Sequence, residues 1–191
     1  VIHCQRIVNA AGAWAGQIAG LLNINLPVHG APLQMIVTEP LKPTLDHLIA
    51  HADRHLTLKQ VANGNLIIGG GWPAGFDPHT GLAKVQRQSI EGNLWIAQRV
   101  IPALSQLHII RSWAAMNVNI DGAPVLGEVP GVAGFYNAVT SNGYTLGPMI
   151  GRLTAQLMTK GSADWDLTPF LIDRFSKQNK RSRDDHSTTI Q

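Results

Sequence analysis

Apolar residues recur along this chain with two spacings, an alternation typical of strands and a three-to-four-residue repeat typical of helices. The alternating or β-branched runs predict six strands, and turn-forming residues bound most of them. These strands are expected over residues 4–9, 33–39, 55–60, 65–70, 107–120 and 135–140. Asn63-Gly64 separates two of these runs, and this dipeptide strongly favours a tight hairpin turn. The glycine-rich stretch 69–75 is expected to be a loop.

Helical spacing appears three times, near both ends of the chain and once in the middle. The apolar residues that carry it are Trp14, Ile18, Leu21 and Leu22, then Ile90, Leu94, Ala97 and Ile101, and finally Met149, Ile150, Leu153 and Leu157. The last helix is expected to have Pro148 near its first turn and to stop at Gly161, with a loop over 141–147 before it. The sequence therefore predicts an α+β fold with a mixed, largely antiparallel sheet flanked by helices.

Charge changes this picture in two ways. Charged residues make up 14% of the chain, against about 25% in a typical soluble domain, which indicates that part of the surface is covered by another domain or subunit. The net charge of +3 arises entirely in the last 18 residues, because residues 1–173 contain equal numbers of basic and acidic side chains. Such a tail is typical of a solvated, flexible terminus, so we expect no nucleic-acid partner. No apolar run approaches the roughly 18 residues of a membrane-spanning helix.

The first residue is Val1, and the chain opens on a run already predicted to be a strand. We therefore expect that a segment normally precedes it. Cys4 is the single cysteine, which leaves no intramolecular disulfide and fits a reducing compartment. We expect a cytoplasmic protein with Cys4 buried near the start of the first strand.

Familiar catalytic motifs are missing from the sequence: it contains no nucleophile elbow, phosphate-binding loop or paired-cysteine motif. His51 and His55 have a spacing that could place two metal ligands on one helix face, but their surroundings alternate like a strand and no third ligand stands out. Structural or substrate-contacting roles are favoured, and no metal is expected. The junction before the last helix is more informative, because Gly143 and Gly147 allow backbone amides at a helix start to approach a ligand. A glycine-bearing turn without a ligand is the alternative there.

Four motifs in order carry a resemblance to a known family. They are VNAAGAWA at 8–15, APLQMIVTEP at 31–40, RSWAA at 111–115 followed by DGAPVLG at 121–127, and GYTLGP at 143–148. In this order they resemble the C-terminal half of the D-amino-acid oxidase superfamily of FAD-dependent oxidoreductases. Within it, the chain is most similar to sarcosine oxidase β subunits, opine oxidase catalytic subunits and glycine oxidases.

The resemblance implies a chain that passes between two domains. Residues 1–24 are similar to the returning part of the FAD domain, 25–120 to the substrate domain, and 121–161 to a second return with a flavin-facing helix. Residues 162–191 are expected to form a C-terminal extension with a flexible tail. FAD is the implied cofactor, and the half of its site that binds adenosine and pyrophosphate is expected in a missing N-terminal segment.

The resemblance also implies site residues. The cofactor-contacting residues are expected to be Ala11, Gly12, Ala13 and Trp14 at the first turn, and Gly143, Tyr144, Thr145, Leu146 and Gly147 at the last helix. The substrate-contacting residues are expected to be Arg54, His55, Arg111, Trp113 and Asn117. No catalytic residue is assigned.

Asn117 stands where glycine-oxidase-like members carry the arginine that binds the substrate carboxylate. This difference favours an opine or an N-alkylated amine over a small free amino acid. The implied function is oxidation of a carbon–nitrogen bond by hydride transfer to flavin, with the isolated chain expected to be inactive. A catalytically silent interaction subunit on the same fold is the alternative, and further subunits are potential partners in either case.

Overall fold

The computed structural model describes residues 1–176. The chain divides into two compact units: unit 1 comprises Val1–Gly30 and the part from Val118 onward, and unit 2 is Ala31–Asn117. The strands are β1 (Ile7–Asn9), β2 (His29–Pro40), β3 (Ile49–Ala50), β4 (Thr57–Gln60), β5 (Asn65–Gly69), β6 (Gly75–Asp77), β7 (Leu82–Lys84), β8 (Ile109–Asn119), β9 (Val125–Glu128) and β10 (Phe135–Val139). The helices are α1 (Ala15–Gly20), α2 (Arg87–Val100) and α3 (Gly143–Lys160), with short 3-10 turns at Gly12–Trp14, Pro102–Gln106 and Thr168–Phe170.

Unit 1 is built on a three-stranded sheet in the order β1-β10-β9. β1 pairs in parallel with β10, and β10 pairs antiparallel with β9. One apolar cluster packs α1 against the sheet through Ala15, Ala19, Val125 and Val139. A second cluster packs α3 through Ile150 and Leu153 against β9. Both helices are therefore anchored to the same small sheet by buried apolar side chains.

Unit 2 is built on a five-stranded sheet in the order β3-β4-β5-β2-β8, with β6 and β7 forming a separate hairpin. Its core joins the alternating inward residues of β4 and β5, Leu58, Leu66 and Ile68, to Ile96 and Ala97 of α2. Gln60 fixes the neighbouring loop: its side-chain amide donates to the carbonyls of Leu41, Lys42 and Gly64, and its oxygen accepts from the amides of Thr44 and Leu45. A single side chain thus satisfies five backbone groups.

The predicted fold class is confirmed: β1 pairs with β10 in parallel, whereas the pairs β9–β10, β2–β5, β3–β4, β4–β5 and β6–β7 are antiparallel. The hairpin at Asn63-Gly64 joins β4 to β5 as predicted, with Gly64 at a φ of 89°. Within residues 1–176, every helix is too short or too polar to cross a bilayer.

Three local predictions were wrong. The first strand begins at Ile7 and leaves Cys4 exposed, because the residues before Ile7 have no partner strand. Residues 51–55 form a loop between β3 and β4, so His51 and His55 lie on neither a strand nor a helix. The last helix begins at Gly143, within the predicted loop, because a proline in the second turn removes only one hydrogen bond there. Most of the predicted flexible tail, residues 177–191, lies outside the described residues.

Arg174, the first residue of the tail expected to be solvated, instead closes a bidentate ion pair with Asp121. Its Nε and Nη2 atoms each donate at 2.8 Å to one carboxylate oxygen, and Nη2 also donates to the carbonyl of Ala123. Hydrogen bonds from the Arg174 guanidinium hold the pKa of the Asp121 carboxyl below its usual value. This pair ties the C-terminal segment to the turn that precedes β9.

We expect Arg174→Met to destabilise unit 1 by about 1 to 3 kcal/mol, because it leaves a partly buried carboxylate without its donors. A carboxyl whose pKa is lowered by folding stabilises the protein above its ordinary pKa, and this contribution disappears as the pH falls through that range. Urea unfolding from pH 7 to pH 3 should therefore show the variant converging on the wild type at acidic pH. Arg152→Met, which removes an exposed ion pair with Asp164, is the control and should have a much smaller effect. A constant difference at all pH values would contradict this account.

Candidate functional site

An open cavity of about 510 Å³ in unit 1 lies where the start of α3 approaches the sheet. Val8 and Ala10 line it from the edge of β1, and Ala138 and Thr140 line it from the end of β10. Val139, between Ala138 and Thr140, lines it as well. Val8 and Ala10 are two residues apart, so they project to the same side of the chain and turn toward the cavity. Asn9, which lies between them, and its paired residue Asn137 are both buried. We call this space the helix-start cavity.

The third wall of the helix-start cavity is a stripe of small residues along α3. Gly143, Gly147, Gly151 and Ala155 recur every four residues and therefore share one helix face. A β-carbon added at Gly147 or Gly151 would meet no atom within 4 Å, so the missing side chains leave space in the cavity rather than a tight contact with protein. The backbone of α3 is consequently exposed to any group that occupies this cavity.

The same end of α3 supplies hydrogen-bond donors. Asn142 occupies the N-cap position, but its side chain makes no capping hydrogen bond. The carbonyl of Asn142 accepts from the amides of Thr145 and Leu146, whereas the amides of Gly143 and Tyr144 have no intrahelical acceptor. These donors and the positive end of the helix dipole suit a group that carries negative charge or a carbonyl oxygen.

Thr154 provides a second, independent sign of a ligand. Its residue exposure is 5%, and its hydroxyl has no hydrogen-bond partner within the described residues. Buried hydroxyls are normally paired, because an unpaired one loses its hydrogen bonds to water without replacement. Thr154 lies two helical turns after Gly147 on the cavity-facing side of α3, and the cavity contains no charged side chain. An uncharged, partly polar ligand fits this lining.

The turn that follows β1 borders the cavity through Gly12, which has a φ of 55°. Asn9 shapes this turn: its Nδ2 donates to the carbonyl of Ala15 at 2.9 Å and to Oδ1 of Asn137 at 3.3 Å, and its Oδ1 accepts from the amide of Ala11. The buried asparagine thus connects the strand, the turn and the first helix. Its role was not apparent from the sequence.

Of the residues predicted to contact a cofactor, the structure brings Gly12, Gly143 and Gly147 to the helix-start cavity. The other predicted cofactor residues do not line this cavity. Ala11 packs against the apolar cluster of α1, and Leu146 packs against that of α3. Trp14 and Tyr144 have exposed side chains, and the remaining two are Ala13 and Thr145. Sequence reasoning missed Val8, Ala10 and Thr154. The alternation along β1 and the helical spacing of Thr154 from Gly147 were the available signals.

A second cavity, of about 550 Å³, lies within unit 2 and is bounded by residues 50–57 and by Gly70 and Gly71. We call it the histidine-loop cavity. Arg54 and His55, both predicted substrate residues, line it together with His51. The far end of the loop is fixed, because the carbonyl of His55 accepts from both the indole of Trp72 and the side-chain amide of Asn93.

The other predicted substrate residues lie on β8. Arg111 stacks on Trp113 at 5.6 Å, and Asn117 follows on the same face of the strand. Two strands, β5 and β2, separate β8 from β4, which follows the histidine loop. The predicted substrate residues therefore form two groups rather than one. In the described part of the chain, no three His, Cys, Asp or Glu side chains are placed to hold a metal ion.

The family model described as DAO, FAD dependent oxidoreductase, matches residues 1–157. The sarcosine oxidase subunit beta of Rhizobium meliloti (strain 1021) is 29% identical over 181 residues, which cover 92% of this chain and 42% of that protein. The hydrogen cyanide synthase subunit HcnC of Pseudomonas aeruginosa is 30% identical, with coverage of 93% and 42%.

Among solved structures, the L-proline dehydrogenase from P. horikoshii superposes with a TM-score of 0.80 at 26% identity and covers 91% of this chain. The match includes 47% of that protein. The chain thus spans less than half the length of each of these three relatives.

Proposed function

This chain belongs to the DAO family of FAD-dependent oxidoreductases, and on that premise we propose that it is the C-terminal portion of an enzyme that oxidises a carbon–nitrogen bond. The proposed substrate is an amino acid, an N-alkylated amino acid or an opine. The observation that carries the proposal is the helix-start cavity, where α3 combines free first-turn amides, a small-residue face and the unpaired Thr154 hydroxyl. When bound, FAD would supply the hydride-accepting chemistry that no side chain offers.

The helix-start cavity fits part of this cofactor. Its uncharged lining and the space above Gly147 and Gly151 suit a flat, uncharged ring system. The amides of Gly143 and Tyr144 would donate to carbonyl or ring-nitrogen acceptors, and the helix dipole would stabilise negative charge on them. Val8 and Ala138 would exclude water from the same face. The cavity is too small to enclose a whole dinucleotide, so this chain would hold one portion of it.

We propose that the remainder of the FAD site comes from the part of the relatives' length that this chain does not cover, and that this part is N-terminal. β1 supports this, because it forms the edge of its sheet and leaves Ile7 49% and Val8 38% exposed. A parallel edge strand with exposed apolar residues is unusual unless another element covers it. A cytoplasmic location and association with further subunits belong to the same proposal.

The histidine-loop cavity is the better candidate for the substrate. It gathers Arg54, His55 and His51 around one open cavity, whereas Arg111, Trp113 and Asn117 lie on an outer strand. Asn117 cannot form the bidentate contact with a carboxylate that an arginine would. A polar cavity with a cationic side chain suits an acidic amine substrate.

The test is amine-dependent flavin reduction by the full-length protein. We expect the purified full-length protein to retain FAD and to bleach its absorbance anaerobically on addition of an N-alkylated amino acid or an opine. The 191-residue chain alone should bind FAD weakly or not at all, since it supplies one portion of the site. A full-length protein that binds FAD but is reduced by none of these amines would favour a catalytically silent interaction subunit. Stoichiometric FAD on the isolated chain would contradict the proposed division of the site.

A further inference from the structure

Two arginines of unit 2 share one exposed tryptophan. The guanidinium carbon of Arg99 lies 4.0 Å from the centroid of the Trp95 ring, and that of Arg54 lies 5.9 Å from it. Trp95 is 49% exposed, and neither arginine forms an ion pair within residues 1–176. Arg87, on the same helix, is by contrast neutralised by Glu91.

The two cations lie close enough to repel one another. Because both distances are measured from one ring, the two guanidinium carbons are at most about 10 Å apart, which is about the Debye length at an ionic strength of 0.1 M. Stacking on the indole orients both groups and leaves their N–H donors available at the ring periphery. A bound anion would relieve the repulsion and use these donors.

Arg54 also lines the open histidine-loop cavity, so one member of the arginine pair borders this space. His51 adds a further polar group there: its Nδ1 accepts from the amides of Asp53 and Arg54 at 3.1 and 3.2 Å, which leaves Nε2 as the ring nitrogen available to donate. Asp53 is the one carboxylate of the lining and has no salt-bridge partner in the described chain. The side chains of the lining that can donate hydrogen bonds therefore outnumber this single carboxylate.

The position of the loop is fixed by its surroundings. Gly70 has a φ of 114° and lies directly against the backbone of Leu56. Asn93, which is 1% exposed, holds the carbonyls of His55 and Gly69 from α2. The same helix carries Trp95 and Arg99, so the arginine pair and the cavity are set by one rigid element.

We propose that Arg54, Arg99 and Trp95 form a carboxylate-binding site at the histidine-loop cavity, and that it recognises a carboxylate of the substrate. Arg54 would bind the carboxylate bidentately, Arg99 would contribute charge, and Trp95 would hold both guanidinium groups in place. This site would replace the carboxylate contact that Asn117 on β8 cannot make. Two cations at one site favour substrates with two carboxylates, such as N-carboxyalkyl amino acids. The identity of the ligand as the substrate rests on the proposed function, whereas the anion site itself does not.

The anion site is tested by titrating the full-length protein with succinate and with uncharged succinamide, using the indole N–H signal of Trp95 in ¹⁵N NMR spectra. Trp95→Phe assigns the signal. We expect succinate to bind and succinamide not to bind. Arg54→Gln and Arg99→Gln should each weaken succinate binding by about ten- to a hundredfold, and Arg54→Lys by less. Arg87→Gln, on the same helix but already ion-paired, is the matched control and should bind as the wild type does.

Equal succinate affinity in Arg54→Gln and the wild type would overturn the site, as would equal losses in Arg54→Gln and Arg87→Gln. Circular dichroism checks that each variant is folded. If Arg54→Gln does not fold, the smaller loss of succinate affinity expected of Arg54→Lys tests the site instead. A second arm measures flavin reduction: Arg54→Gln should raise KM for an N-carboxyalkyl amino acid more than for its carboxamide. Succinate binding with unchanged KM would overturn the assignment to the substrate. Absence of any flavin reduction would refute the proposed function and leave the binding result standing.

Discussion

Gly151→Val is expected to lower the affinity for FAD by about ten- to a hundredfold while the protein folds normally. Gly151 lines the helix-start cavity, and beyond its chain neighbours and its own helix backbone no atom lies within 4 Å of an added β-carbon. Valine is also a better helix former than glycine, and Arg152, unlike the Pro148 that follows Gly147, does not restrict the residue before it. The added methyl groups would project into the helix-start cavity, where we place the flavin. The loss of affinity would thus come from the ligand and not from the fold.

The measurement is a fluorescence titration of FAD into the full-length apoprotein, with thermal unfolding recorded for each variant. Gly20→Val is the matched control, since Gly20 is also helical and also has no atom within 4 Å of its added β-carbon, but it does not line the cavity. It should leave FAD affinity unchanged. If Gly151→Val binds FAD as tightly as the wild type, the flavin does not lie against α3 and our cavity assignment fails.

The two glycines at the start of α3 show how far sequence reasoning reaches. Gly143 and Gly147 were identifiable because a helix start with glycine has a physical use that does not depend on tertiary structure. The helix itself was predicted to begin five residues too late. The sequence around Pro148 looks the same whether this proline lies in the first helical turn or in the second. The local pattern thus predicted the element and its chemistry but not its first residue.

The rest of both cavities depends on contacts between residues far apart in sequence. Thr154 is informative only because it is buried without a hydrogen-bond partner, and burial of a single hydroxyl cannot be read from helical spacing. Arg54 and Arg99 are 45 positions apart and meet at Trp95 only after α2 packs on the sheet. Arg54 and Arg111 looked equivalent in sequence, yet the strand order places β5 and β2 between β4, which follows the loop of Arg54, and β8, which carries Arg111. Strand order is a long-range property that short motifs do not encode.

The largest effect on stability is expected from Gly70→Ala, which should destabilise unit 2 by about 3 to 5 kcal/mol. Two costs add at this position. The φ of 114° is one that residues with a side chain rarely adopt, and the new methyl group would overlap the backbone of Leu56. Leu56 is 2% exposed and belongs to the core cluster, so its backbone cannot move away without disturbing β4.

Gly81→Ala separates the two costs. Gly81 has a φ of 69° but no atom within 4 Å of an added β-carbon, so only the conformational strain remains, about 1 kcal/mol. Urea unfolding followed by tryptophan fluorescence can report on unit 2, because Trp72, Trp95 and Trp113 belong to it and the exposed Trp14 and Trp165 can be replaced by phenylalanine. In that background Gly70→Ala should shift the midpoint strongly, and Gly81→Ala, which also lies in unit 2, should shift it only slightly. Equal midpoints for Gly70→Ala and its parent would mean that the histidine loop yields to the methyl group, and the rigid placement of Arg54 beside Trp95 would lose its support.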